Sequence, residues 1–104
     1  MNIRILDVVQ IDLDTTVRRL NAEKHGLGAA FVTLYRAART ALHLTPRQYA
    51  PTEDGPAGIE TREVFIERFN QRVIYAVTDA EVVILPVVHA HRLPGSWAAR
   101  AEQV

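Results

Sequence analysis

Arg72-Val-Ile-Tyr-Ala-Val77-Thr-Asp-Ala-Glu81-Val-Val-Ile-Leu-Pro-Val-Val-His-Ala90 is the stretch on which the fold of this chain turns. Arg72 to Val77 and Glu81 to Ala90 are rich in β-branched residues, which pack well on a pleated surface. Only Thr78-Asp79-Ala80 separates them, and so short a connection joins antiparallel neighbours, because a parallel crossover needs about a dozen residues or more. Val82, Val83, Ile84 and Leu85 do not alternate with polar residues, so the last strand is expected at the centre of a sheet, covered on both faces. Pro86 has no N–H to give to a ladder and calls for a bulge or an edge at that point.

Upstream, Ile59 to Ile66 reads as a third strand of the same meander, joined to Arg72 through Glu67 to Gln71. Tyr49 to Gly58 holds Pro51, Gly55, Pro56 and Gly58 with Glu53 and Asp54, a turn-forming composition with few groups to bury, and is expected to be a mobile loop. Before it lie two helical patterns. From Gly28 to Leu44, Phe31, Leu34 or Tyr35, Ala38 and Leu42 form an apolar stripe, and Pro46 enforces the end. From Ile11 to Lys24, Leu13, Val17 and Leu20 recur at helical steps, and His25-Gly26 stops the helix. A connection of three residues, Gly26-Leu27-Gly28, reverses the chain into a helical hairpin. Asn2 to Val9 reads as a first strand. Residues 1–104 therefore form one α+β domain in the order β-α-α-β-β-β, an antiparallel sheet with a helical hairpin packed on it.

Composition narrows the function classes. The chain has no cysteine, which removes disulfides, thiol nucleophiles and thiolate metal sites and makes a reducing cytoplasm the expected location. Its longest apolar run, Val82 to Val88, is far shorter than the roughly 20 residues that cross a bilayer, so no membrane role is expected. Formal charge is zero, which argues against broad nonspecific binding of nucleic acid. Arginine supplies all the basic residues except Lys24, a bias that suits carboxylate and phosphate partners and that codon usage in a GC-rich genome would also produce.

Few residues have the pattern of a reacting group. His89 and His91 form a His-x-His pair with no third ligand nearby, so structural or hydrogen-bonding histidines are expected ahead of metal ligands, and no metal or cofactor is assigned. The carboxylates, Asp12 and Glu63 among them, sit in no evident apolar context and read mostly as solvated charges. The denser signal is Arg72, His89, His91, Arg92, Trp97 and Arg100, a set suited to recognition of a protein or an anion. An equally weighted alternative has Trp97 folding back as a lid on the sheet, with Arg72 and Arg92 paired to Glu63 or Glu81.

Taken in order, Asp12-Leu13, Gly26-Leu27-Gly28-Ala-Ala-Phe31, Pro46 with Tyr49, Arg72-Val-Ile-Tyr75 and Val88-His89-Ala-His-Arg92-x-Pro94-x-x-Trp97-x-x-Arg100 resemble the motifs of the RelE/ParE toxin superfamily, in its ParE-like, plasmid-stabilisation branch. The resemblance implies the toxin of a type II toxin-antitoxin system, neutralised by a cognate ParD-like antitoxin whose C-terminal segment wraps it. Homodimer and heterotetramer with antitoxin are both open. It implies two alternative targets: DNA gyrase, poisoned by protein binding, or ribosome-bound mRNA, cut by an endoribonuclease using Arg62, Arg72, His89 and Arg92. A third alternative is a non-toxic component of such a complex. The second strand carries Glu60 and Glu63 beside Arg62 where ribonucleases of the superfamily have lysines, and Trp97 stands near their acid-base tyrosine. These departures favour the noncatalytic gyrase inhibitor, with Arg72, His89, His91, Arg92, Trp97 and Arg100 as the surface that meets target or antitoxin.

Overall fold

The computed structural model describes residues 1–104. β1 (Asn2–Ile5) leads into a hairpin of α1 (Val8–Glu23) and α2 (Leu27–Leu44), and β2 (Thr61–Ile66), β3 (Gln71–Val77) and β4 (Glu81–His89) follow. Short 3-10 turns cover Glu67–Phe69 and Ala98–Gln103. The four strands lie in the order β1-β4-β3-β2. β2, β3 and β4 form the expected antiparallel meander, but β1 runs parallel to β4, with Asn2 opposite Glu81 and Ile5 opposite Ile84. The sheet is therefore mixed, a correction to the all-antiparallel expectation. Turn length fixes direction only between strands that follow one another, and β1 meets β4 after nearly the whole chain has intervened.

β1 is also shorter than its pattern suggested. Leu6 still donates its N–H to the Ile84 carbonyl, but Val8 and Val9 already belong to α1, where Val9 is fully buried. β-branched composition alone does not separate a strand from the first turn of a packed helix. At the hairpin, α1 ends at Lys24 in an extended conformation, and Gly26, with φ of 92°, takes the left-handed conformation that turns the chain into the start of α2 without steric cost. Gly28 is needed for closeness: a Cβ there would sit 2.8 Å from Val17 Cγ1, and its N–H donates to Asn21 Oδ1 at 2.9 Å, tying the two helices together.

Both faces of β4 are covered, as its unbroken apolar run demands, and Val82 to Leu85 have no exposed surface. One β-bulge interrupts its pairing with β3. Val73 faces Val87 and Tyr75 faces Ile84, so Leu85 and Pro86 together oppose Ile74. The bulge falls at the proline, the residue unable to donate to the ladder.

The α2 stripe resolves to Phe31, Tyr35, Ala38 and Leu42, with Leu34 outside. Two tyrosines in this core behave oppositely. Tyr75 Oη donates to the Pro46 carbonyl at 2.6 Å, and burial pushes its pKa up to about 12. Tyr35 is equally enclosed, yet its hydroxyl makes no hydrogen bond of ordinary geometry, and the Arg39 guanidinium, 5.2 Å from the ring centroid, meets it only as a nearby charge. Tyr35→Phe is therefore expected to leave stability unchanged or raise it by up to about 1 kcal/mol, whereas Tyr75→Phe should cost about 1–2 kcal/mol by orphaning the carbonyl. Urea unfolding of the two variants side by side checks the difference.

The segment Tyr49 to Gly58 is tied down rather than free. Thr52 N–H donates to the Thr61 carbonyl, Glu63 N–H donates to the Ala50 carbonyl, and Pro51 bridges to Arg62, so this stretch lines the outer edge of β2. No helix is long and apolar enough to cross a membrane.

Candidate functional site

Two clusters hold most of the residues singled out in the sequence. The first centres on Asp54. Its Oδ2 accepts from Arg72 Nη1 at 2.9 Å, from the Gly95 N–H at 2.9 Å and from the Trp97 indole Nε1–H at 3.1 Å, while Oδ1 accepts from Arg72 Nη2 at 2.7 Å. The other side of the same guanidinium meets Glu63, through Nε at 2.8 Å and Nη2 at 3.2 Å. Arg72 is thus gripped twice over, and its side chain is 14% exposed. Trp97 is 3% exposed, packed into the core as the lid that the sequence allowed. Asp54, set in a stretch of turn-forming composition, is the residue that gathers strand, loop and tail.

The Arg72 guanidinium holds the Asp54 carboxyl far below the usual carboxylate range, with the Gly95 N–H and Trp97 indole assisting against the opposing effect of burial. A carboxyl depressed on folding contributes stability that is fully present above its unfolded pKa of about 3.9 and is lost as pH falls toward the folded value. Stability is expected to hold down to about pH 5 and to decline from about pH 4 downward, with a shallower decline in Asp54→Asn. Urea midpoints measured across that range check it.

The second cluster lies where β1 runs out. Beyond Ile84 the free edge of β4 has no strand beside it, and side chains take the strand's place. Asp12, from α1, accepts the Val87 N–H at 3.0 Å through Oδ2, and Arg100 donates to the Leu85 carbonyl at 2.9 Å. The two are bound to each other by Arg100 Nη1 to Asp12 Oδ2 at 2.6 Å and Nη2 to Oδ1 at 3.0 Å. Asp12 is therefore not a solvated charge, its side chain being 7% exposed.

Above this clamp opens a cleft of about 440 Å³ between α1 and the end of β4. Thr15, Thr16 and Arg19 line it from α1, Gln71 from β3, His89 from β4 and Arg92 from the turn that follows. His89 has its pKa lowered by burial first and by the neighbouring His91 and Arg19 charges second. Its ring stands edge-on to His91 with centroids 4.9 Å apart, and its Nδ1 accepts the His91 N–H at 3.1 Å. No group of three His, Cys, Asp or Glu side chains gathers anywhere in the chain to hold a metal.

The sequence-predicted residues thus divide. Arg72 and Trp97 meet at Asp54; His89, Arg92 and Arg100 meet at the cleft, with His91 beside them. Arg62 belongs to neither, since its Nε donates to Glu60 at 2.8 Å and its Nη1 to the Tyr49 carbonyl at 2.6 Å. Arg92 has neither of the partners expected for it: none of the seven ion pairs includes it, and Glu81 pairs with Arg4. Sequence reasoning missed Asp54, Gln71, Thr16 and Arg19. Only the last two carried a signal, lying one turn and two turns beyond Asp12 on a helical face. No protein-family model matches the chain, and no curated protein matches it in sequence.

Proposed function

We propose that this protein is the toxin of a type II toxin-antitoxin pair, of the ParE-like kind, acting on DNA gyrase by binding and neutralised by a cognate antitoxin. The observation that carries the preference for binding over RNA cleavage is the double engagement of Arg72. Arg72 gives four of its five N–H groups to Asp54 and Glu63, so its charge is already matched by two carboxylates and it is poorly placed to hold a scissile phosphate, while Arg62 is turned toward Glu60 and the Tyr49 carbonyl. Of the four ribonuclease candidates, His89 and Arg92 share one open cleft, and neither Arg62 nor Arg72 lines it.

A partner surface is supported separately by the apolar groove between α2 and β2. Leu34, Ala38, Ala41, Tyr49, Val64 and Phe65 line it, and Leu34 and Phe65 are exposed. Such a groove suits an amphipathic segment that folds on binding, the form an antitoxin tail takes. The reading also rests on the motif resemblance and on the α+β architecture of hairpin and sheet.

The decisive experiment is a supercoiling assay with purified protein. Inhibition of gyrase at stoichiometric excess, with growth arrest on induction, is the expected result. Unimpaired supercoiling together with toxin-dependent mRNA cuts at codon positions by primer extension would replace this reading with the ribonuclease.

A further inference from the structure

We infer that the cleft between α1 and the end of β4 is a binding site for a small phosphomonoester, its phosphate held by Arg92 and Arg19 and its organic part lying toward Val8 and Ile11. The charge of the cleft comes first. Arg19, Arg92 and Arg100 line it against a single carboxylate, Asp12, and that carboxylate is fully occupied by Arg100 and the Val87 N–H. Arg92 has no ion-pair partner within the chain, and Arg19 has only an exposed i,i+4 contact with Glu23 at 3.3 Å, a kind of pair that holds its members weakly. Two guanidinium groups therefore stand available at one opening.

The second observation is independent of charge. Gln71 is 1% exposed, lines this cleft, and its Oε1 has no hydrogen-bond partner. A buried amide oxygen left unpaired is unfavourable by about 1–3 kcal/mol, and rotation of the amide toward the cleft would let a ligand hydroxyl relieve it. Thr15 and Thr16 add hydroxyls from the helix, where Thr16 is buried.

Geometry favours phosphate over carboxylate. A planar carboxylate is satisfied by one arginine fork, whereas here donors come from a helix, a strand start, a strand end and a turn, which suits a tetrahedral group with oxygens in several directions. A volume of about 440 Å³ lies within the range of small-molecule sites and far exceeds one phosphate. Val8, Val88 and Ile11, the last 63% exposed at the rim, supply an apolar wall for the remainder of an ester. Ligand occupancy of this cleft is read independently of gyrase inhibition and of growth.

The experiment is an NMR titration of the full chain at constant ionic strength, following the His89 ring and the Gln71 side-chain amide. Ribose 5-phosphate, inorganic phosphate, acetate and a single-stranded oligonucleotide are the probes. Saturable shifts are expected with both phosphates, with the sugar ester at least about tenfold tighter than the free ion. Arg92→Ala and Gln71→Leu, whose thermal midpoints should stay near that of the parent, should each weaken the ester, Arg92→Ala by roughly tenfold to a hundredfold. Absence of saturation, equal affinity for ester and free phosphate (an adventitious ion only), or unchanged affinity in Arg92→Ala would overturn the proposal. So would acetate competing as well as phosphate. Tight binding of the oligonucleotide with none of the ester would assign the cleft to a nucleic-acid backbone instead.

Discussion

Arg72→Met is expected to lower the unfolding free energy by about 3–5 kcal/mol, the range seen when one member of a mostly buried ion pair is removed. The loss is not that of one contact. Asp54 and Glu63 both turn their carboxylates on this guanidinium, with side chains 12% and 24% exposed. Without it two negative charges face each other with little water to screen them, and the Gly95 N–H and Trp97 indole are left to hold Asp54 alone. Arg72→Lys should recover only part of the loss, since an ammonium cannot make two bidentate pairs at once. Neutralising the carboxylates as well, in Arg72→Met with Asp54→Asn and Glu63→Gln, should return more than about half of it, because the penalty lies in uncompensated charge. Urea unfolding of the three variants measures each step. A single variant within about 1 kcal/mol of the parent would mean that the Asp54 hub is not a structural tie.

Trp97→Ala is the second large effect, at about 3–5 kcal/mol. The indole is 3% exposed within the main core cluster and, through Nε1, is also a donor to Asp54. Truncation leaves a cavity and removes a charge-assisted hydrogen bond together. Trp97→Phe separates the two: it keeps much of the packing and should cost about 1–3 kcal/mol, the range for a hydrogen bond to a charged group. Denaturation followed by far-UV circular dichroism suits both variants, since the chain's one tryptophan is itself removed. Small loss of stability in Trp97→Ala with loss of growth inhibition would instead make this residue part of the target surface.

The elements that were legible in the sequence are those whose partners lie close along the chain. The β2-β3-β4 meander follows from short connections, the hairpin from Gly26 and its neighbours, and the bulge from a proline in a central strand. What escaped depends on distant pairing. Nothing local states that β1 lies parallel to β4, and nothing in Pro51-Thr-Glu-Asp54-Gly-Pro56 announces that the fourth of these residues reaches across to Arg72, Gly95 and Trp97. The residues read as one recognition surface do not form one, since they divide between a buried tie and an open cleft. Gln71 is legible only in the fold, for another reason: a glutamine at the start of a strand is ordinarily solvated, and here it is buried at the wall of the cleft with its oxygen unpaired.

The clamp of Asp12 and Arg100 has a kinetic side. These residues stand 88 positions apart, and β1 and β4 are almost as distant, so one whole edge of the sheet depends on contacts that span most of the chain. Long-range pairing slows folding, because the entropy of closing so large a loop is lost before any contact repays it. The meander and the helical hairpin, built from near neighbours, can form well ahead of it. In that interval the backbone of β4 from Leu85 to Val87 is an open ladder of unpaired groups, able to accept a strand from another molecule. Refolding yield should accordingly fall with protein concentration, and more steeply in a chain whose Asp12 can no longer close the edge.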